Sequence, residues 1–469
     1  MGHQNQSIAV LAALLCALGC SSADDADPLR PRPGAPVVLI SIDTLRADRL
    51  GAYGNTQGLT PNLDAFAREA LVFEQCWSAA NNTGPSHMTI MTGLLPDVHG
   101  IRHGYPSRPA EAVSMLADEL RQAGWLTSAL ADGAFVTRAF GFDRGFDRFV
   151  SRLQPFSQKL PTLLQWAAEG PRAPDGPRML FVHTYEPHSP YVPTIEHDLF
   201  TDPDYDGQMR PIVERIRVAV EDPAGRLNLG DLERSFWPDR GTLDEADVRY
   251  LRGLYDGDVL QADDGVGQLL DALAEHGWYD EAWIFIVSDH GEAFREHGTY
   301  EHRQLFSEEL SVPLMVRPPG GVRGGARTDM TARLLDVAPT ILHAVGLASP
   351  ELVQGRSLLP LGERVDRPVY SIAGESDSYR VFQIGTHKLH WRGPGKSELY
   401  DLAVDPAEQD DLAQSSLRPS WASNATAAMK EIEAESAALR RALGEPGSVG
   451  TIDPQVLDEL RQLGYLSDR

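Results

Sequence analysis

The chain has 469 residues, 42% hydrophobic and 23% charged, enough for one large α/β domain with an appendage or for two medium domains. Its formal net charge of -25 argues against a nucleic-acid partner, because a polyanion would be repelled and not drawn in by counterion release. It does not exclude a small anionic ester as substrate, since a bound cation reverses the field locally.

In chain order, the first element is the apolar run Ile8–Leu18, too short for a stable membrane span. It ends at Ala17-Leu18-Gly19-Cys20, which resembles a bacterial lipoprotein cleavage box. The expectation is that residues 1–19 are a signal peptide. The protein would then be exported to the periplasm or cell envelope, touching a membrane only through a lipid on Cys20. Residues 20–36, rich in Asp, Pro and small side chains, read as a flexible tether. With Cys16 removed and Cys20 acylated, Cys76 has no partner, so neither a disulfide framework nor a cysteine zinc site is expected.

Val37–Asp43 is a continuous apolar run ending in an acid, the pattern of a strand buried on both faces of a largely parallel sheet. Thr127–Ala131, Met179–His183, Trp283–Ser288 and Val312–Val316 repeat the pattern, while Val113–Ala123, Asp244–His276 and Thr331–Val345 carry helical spacing. The alternation predicts an α/β fold with a central sheet flanked by helices, over residues 37–367. Residues 200–243, polar and punctuated by Pro and Gly, read as an insertion over the site. From residue 368 to 469 the pattern changes to a small subdomain. Val369–Ile372, Val381–Gly385 and His387–Trp391 read as antiparallel strands, and Ala422–Leu443 reads as an amphipathic helix.

Asp43, Asp289 and His290 all follow buried strands, so one sheet edge would gather two carboxylates and an imidazole, a donor set for a divalent cation. A lone Asp after a strand is more often a helix cap. Adjacent Asp289-His290 resists that reading, because burying both without a partner is costly. In Thr83-Gly84-Pro85-Ser86-His87, the proline suits a first helical turn, placing the Thr83 hydroxyl at a helix N-terminus where free N–H groups favour a tetrahedral anion. On spacing alone Thr83 and Ser86 could equally be caps. His188, and His302 behind the Asp-His pair, are candidate proton donors to a leaving oxygen. His99, His103, Arg102 and Asp132 are candidates to line a substrate pocket, and His297 to orient a ligand.

Several stretches together resemble the sulfatase family of the alkaline phosphatase superfamily. Ser41-Ile42-Asp43-Thr44-Leu45-Arg46-Ala47-Asp48 is similar to its opening metal motif, Thr60–Asp64 to the next block, and Thr83–Gly93 to its signature. Gly141–Asp147, His188–Tyr191, Ser288–Glu292, Glu308–Pro313, Asp336–Thr340, Leu399–Leu402 and Leu463–Leu466 continue the likeness in order. The resemblance implies an alkaline-phosphatase-like fold, a metal held by Asp43, Asp289, His290 and Thr83, and hydrolysis of a sulfate or phosphate ester.

The departures shape the reading. The signature Cys or Ser, oxidised to formylglycine in sulfatases, is Thr83, whose extra methyl would give a ketone instead of an aldehyde, so no formylglycine is expected. The signature Arg is His87, the second metal Asp is Thr44, and Asp132 stands in the stretch where a Lys and a His are usual. The Asp-Asn pair is Asp289-His290, as in phosphonate monoester hydrolases, lipoteichoic acid synthases and phosphoethanolamine transferases. That exchange favours Mn²⁺ or Zn²⁺ over Ca²⁺. The expected function is ester hydrolysis by Thr83 with a preference for phospho(di)esters, helped by His188, His302 and His87. A true sulfuric ester hydrolase and a binding protein that has lost the chemistry are the alternatives.

Overall fold

The structure is a computed structural model that describes residues 27–102, 107–221, 236–237, 240–361, 367–373, 378–414, 419–449 and 452–462. The proposed leader, Cys20, His103 and the terminal Leu463–Leu466 lie outside the described residues.

Strands β1 (Val37–Ile42), β2 (Leu71–Phe73), β3 (Leu126–Ala131), β4 (Arg148–Ser151), β5 (Gly176–Thr184), β6 (Trp283–Ser288), β7 (Leu314–Arg317) and β8 (Ala326–Thr328) form the main sheet, in the order β8-β2-β7-β6-β1-β5-β3-β4. A two-residue strand, Arg172–Ala173, pairs on its edge with β5. From β6 to β4 every pairing is parallel, and β7 turns antiparallel to β6 and β2.

Every residue of β1 is buried, and the pleat sends alternate side chains to two cores. Val37 and Leu39 join a core with α1 (Thr83–Thr92) and α5 (Val337–Ala344). Val38, Ile40 and Ile42 join another with α2 (Phe156–Ala168) and α4 (Glu245–Glu275). Helices on both faces of a parallel sheet are what the apolar strands require.

Several boundaries differ from expectation. The expected helix over 331–345 begins as a two-residue strand, Ala332–Arg333, paired with Cys76–Trp77, and becomes α5 only at Val337. Within the polar stretch 200–243, α3 (Arg210–Glu221) forms because Met209, Val213 and Ile216 recur at helical spacing and are buried. The end of the expected tether is docked instead of loose. Arg32 and Gly34 donate backbone hydrogen bonds to the Ala344 and Val345 carbonyls, and Leu29 and Ala35 are buried.

The C-terminal part is a four-stranded antiparallel sheet, β9 (Val369–Ile372), β10 (Arg380–Ile384), β11 (His387–Trp391) and β12 (Ser397–Asp401), backed by α6 (Trp421–Leu443). Ile372 bridges to Ala80, and the Ser371 hydroxyl donates to the Ser78 carbonyl at 2.6 Å. This sheet therefore braces the segment that leads into α1. Among the described residues, no helix is long and apolar enough to cross a membrane. Cys76 is a buried free thiol.

Candidate active site

The three central strands finish level, with Ile42 paired to both Thr184 and Ser288. One residue further along lie Asp43, Tyr185 and Asp289. The pleat sorts their directions. Met179 and Phe181 of β5, like Trp283, Phe285 and Val287 of β6, share the core that contains α1. Ser41, Asp43, His183, Tyr185 and Asp289 continue that alternation and converge on the N-terminus of α1.

Thr83 is the first residue of α1 and 1% exposed, and its Oγ1 has no hydrogen-bond partner among the described residues. Beside it, one ligand atom each from Asp43, Asp289 and His290 lies within 4.8 Å of the others. Asp289 Oδ1 accepts from the backbone N–H of His290 (2.9 Å) and Thr44 (3.2 Å). His290 Nδ1 donates to the Gly291 carbonyl at 3.0 Å, which fixes the tautomer that leaves Nε2 as an electron-pair donor. That Nε2 is 3.4 Å from Asp289 Oδ2 and 3.9 Å from Asp43 Oδ1.

The electrostatics suit a cation. Burial, then the neighbouring Asp289, raises the Asp43 carboxyl well above the usual range. Burial pushes Asp289 the same way, but His290 and His87 overcome it and hold Asp289 low. Asp43 Oδ1, Asp289 Oδ2 and His290 Nε2 are buried with no hydrogen-bond partner among the described residues. Such orphaned atoms are rare without a ligand to satisfy them, and two carboxylates with an imidazole form a good donor set for a divalent metal.

His188 and His302 flank this group. The rings stand in a row, His290 to His302 at 4.6 Å and His302 to His188 at 5.2 Å. His302 Nδ1 is 3.5 Å from Glu292 Oε1, and His188 Nδ1 donates to the Ser189 carbonyl at 2.6 Å. Burial pushes His188 down to about 4. Trp237, in the stretch expected to be an insertion, donates to Ser189 Oγ at 3.0 Å at the edge of the site.

Five expected site residues are held by other bonds. His87, expected as a catalytic group, sits 3.4 Å from Asp289 Oδ2 and braces the site, with Nδ1 donating to the Thr83 carbonyl (2.9 Å) and Nε2 bonding the Ser41 hydroxyl (2.9 Å). His99, expected to line a substrate pocket, lies in the core. It is fully buried, Nδ1 accepts from the Ile101 N–H (3.1 Å), and Nε2 bonds Thr89 Oγ1 (3.1 Å). Arg102 is paired with Asp97. Asp132, expected to line the same pocket, is an internal anchor, with Oδ2 accepting from Lys159 Nζ and from the Tyr185 N–H, both at 2.6 Å. His297, expected to orient a ligand, bonds Glu308 and the Glu408 carbonyl instead.

His99 carries a pH signature. Burial pushes its imidazole down to about 3. Its folded pKa is therefore depressed below the unfolded value of ~6.5, so its contribution to stability is full above that value and is lost as pH falls toward the folded one. Between pH 7 and pH 4.5, unfolding free energy should fall less in His99→Gln than in the unsubstituted protein, by about 2.5 kcal/mol. Urea titrations at the two pH values check this, and equal falls would show that His99 titrates normally in the fold.

His183, Tyr185 and Lys159 were not anticipated. His183 Nε2 is 3.3 Å from Asp43 Oδ2, and burial, then His87, pushes its pKa well down. The signal was present in β5, where positions 183 and 185 keep the parity of Met179 and Phe181. Lys159 had none, because α2 reaches Asp132 only through the tertiary packing.

Two family models match the chain: Sulfatase over residues 36–347, and N-sulphoglucosamine sulphohydrolase, C-terminal, over 295–435. An arylsulfatase of Clostridium perfringens is 25% identical over 81% of this chain and 90% of its own. A multifunctional alkaline phosphatase superfamily protein of Trinickia caryophylli is 26% identical over 80% of this chain and 84% of its own. Among solved structures, a phosphonate monoester hydrolase of Agrobacterium radiobacter superposes with a TM-score of 0.67 at 20% identity, covering 88% of this chain and 99% of that one. That likeness speaks to the fold.

Proposed function

We propose that this chain, which belongs to the sulfatase family, hydrolyses phosphate esters, preferring diesters, with Thr83 as an unmodified nucleophile. The observation that carries the reading is the Thr83 hydroxyl, buried and partnerless at a helix N-terminus beside the Asp43, Asp289 and His290 cluster.

The free N–H groups and positive dipole end of α1 bind the anionic group and hold it over Thr83. A divalent cation bound by Asp43, Asp289 and His290, with the Thr83 hydroxyl beside it, would neutralise charge and lower the pKa of that hydroxyl. The imidazole in the pair favours Mn²⁺ or Zn²⁺. His87, tied to the Thr83 carbonyl and to Ser41, fixes the first turn of α1. Thr83 Oγ1 gives its proton to solvent and forms a bond to phosphorus as the bond to the leaving oxygen breaks, and His302, or His188 in its protonated form, supplies that oxygen with a proton. Water then cleaves the threonyl ester. Thr83 carries no hydrogen pattern that oxidation could turn into an aldehyde, which supports the unmodified form.

A sulfuric ester substrate is the second reading, favoured by the names of curated relatives, an arylsulfatase and a choline-sulfatase. Residues 27–469 should be assayed with Mn²⁺, Zn²⁺ or Ca²⁺ on nitrophenyl phosphate, bis-nitrophenyl phosphate and nitrophenyl sulfate, beside Thr83→Ala. Metal-dependent diester turnover should fall by about 10³-fold or more in Thr83→Ala, with the Thr83 peptide at its unmodified mass. Sulfate turnover that survives Thr83→Ala would overturn the mechanism, and sulfate turnover above phosphate turnover would favour the second reading.

A further inference from the structure

We propose that the Tyr185 hydroxyl donates a hydrogen bond to a non-bridging oxygen of the tetrahedral anion held at Thr83. The inference rests on the reading of Thr83 as the reacting group and deepens it.

Tyr185 is 5% exposed, and its hydroxyl has no hydrogen-bond partner among the described residues. Thr83, Asp43 and Asp289 are near enough to influence the hydroxyl, and no group among the described residues meets hydrogen-bond geometry with it. A buried phenol ordinarily finds a partner, because leaving the bond unmade costs more than making it gains. An anion over Thr83 would provide one.

The residue is also held in place. Its ring lies edge-on between His183 (5.1 Å) and His188 (5.4 Å). Its backbone N–H is bound by Asp132, which is bound in turn by Lys159, each at 2.6 Å. A donor positioned before substrate arrives does not have to reorganise during reaction, which is the basis of oxyanion stabilisation.

Two nearby groups that could bind an anion are already engaged. His87 is bonded at both nitrogens, and Lys159 points to Asp132 and the His183 carbonyl. Among the described residues, no arginine or lysine is found as a partner of Asp43, Asp289 or His290. A neutral phenol can bind a phosphate or sulfate oxygen there without competing for the cation that the two carboxylates would hold.

The test uses inorganic phosphate and orthovanadate as probes on the Mn²⁺- or Zn²⁺-loaded protein, comparing the unsubstituted chain, Tyr185→Phe and Thr83→Ala. In Tyr185→Phe, phosphate affinity by calorimetry and vanadate inhibition should weaken about 10- to 100-fold, with kcat/KM falling in step. Bound metal should be unchanged and the melting temperature no lower, since only an unpartnered atom is removed. Equal phosphate affinity in the unsubstituted chain and Tyr185→Phe overturns the proposal, as does a lower melting temperature with unaltered phosphate binding, which would make Tyr185 purely structural. Failure of the hydrolase reading looks different. There, no ester is turned over, yet phosphate binds and Tyr185→Phe weakens it, a result that supports the donor and removes the enzyme.

Discussion

Asp43→Asn should stabilise the metal-free protein while abolishing its response to Mn²⁺ or Zn²⁺. The two buried carboxylates behave oppositely. Asp289 is held low because, against the effect of burial, His290 and His87 favour its charge, and two backbone N–H groups donate to it. Asp43 is raised by burial and by Asp289, and its Oδ1 has no partner. Removing the charge at 43 relieves that repulsion in the metal-free protein at pH 7, so the variant should melt higher than the unsubstituted chain. The same change removes a ligand. The native chain should gain about 2.7 kcal/mol at a metal concentration a hundred times its Kd, whereas Asp43→Asn should gain almost nothing and lose turnover. Thermal melts with and without metal check both signs. A metal-free Asp43→Asn that melts below the unsubstituted chain would show that Asp43 is stabilised by protein partners, against the repulsion argument. Asp289→Asn should destabilise even without metal, because its Oδ1 already accepts from two backbone N–H groups and its charge is held by His290 and His87.

The second large effect is at Lys159. Its ammonium and the Asp132 carboxylate are both essentially inaccessible, 0% and 1% exposed, at 2.6 Å. Lys159→Met leaves the carboxylate buried without its cation, and breaking such a pair costs about 3–5 kcal/mol. The Asp132→Leu/Lys159→Met double variant should recover most of that, because the packed apolar pair replaces the ion pair without leaving a charge behind. Denaturant unfolding of the single and double variants measures the difference. Turnover adds a separate readout. Asp132 also holds the Tyr185 backbone, so the double variant should regain stability without regaining full kcat. Recovery of both together would show that the anchor matters only for folding.

Much of the architecture is legible along the chain. The parallel sheet follows from runs such as Val37–Ile42 and Trp283–Ser288, too apolar for any strand with a wet face. Asp43 and Asp289 were readable because an acid ending such a run must leave the sheet at its carboxyl edge. Strands β2, β4 and β8 were not legible, being only three or four residues long, and α3 was hidden by the polar residues around its three buried ones.

The sequence by itself determined the fold class, the family and the short set of residues able to bind a cation or attack an ester, because hydrophobic periodicity and residue chemistry are local properties. Tertiary structure alone decided which of those residues keep free donor atoms. His87 and His99 are spent on Thr83, Ser41, Thr89 and Ile101. Lys159 comes from a separate helix to neutralise Asp132, while Tyr185 is left with an unanswered hydroxyl. Whether a buried polar atom is satisfied depends on what the packed neighbours bring within about 3 Å, and no spacing along a chain contains that distance.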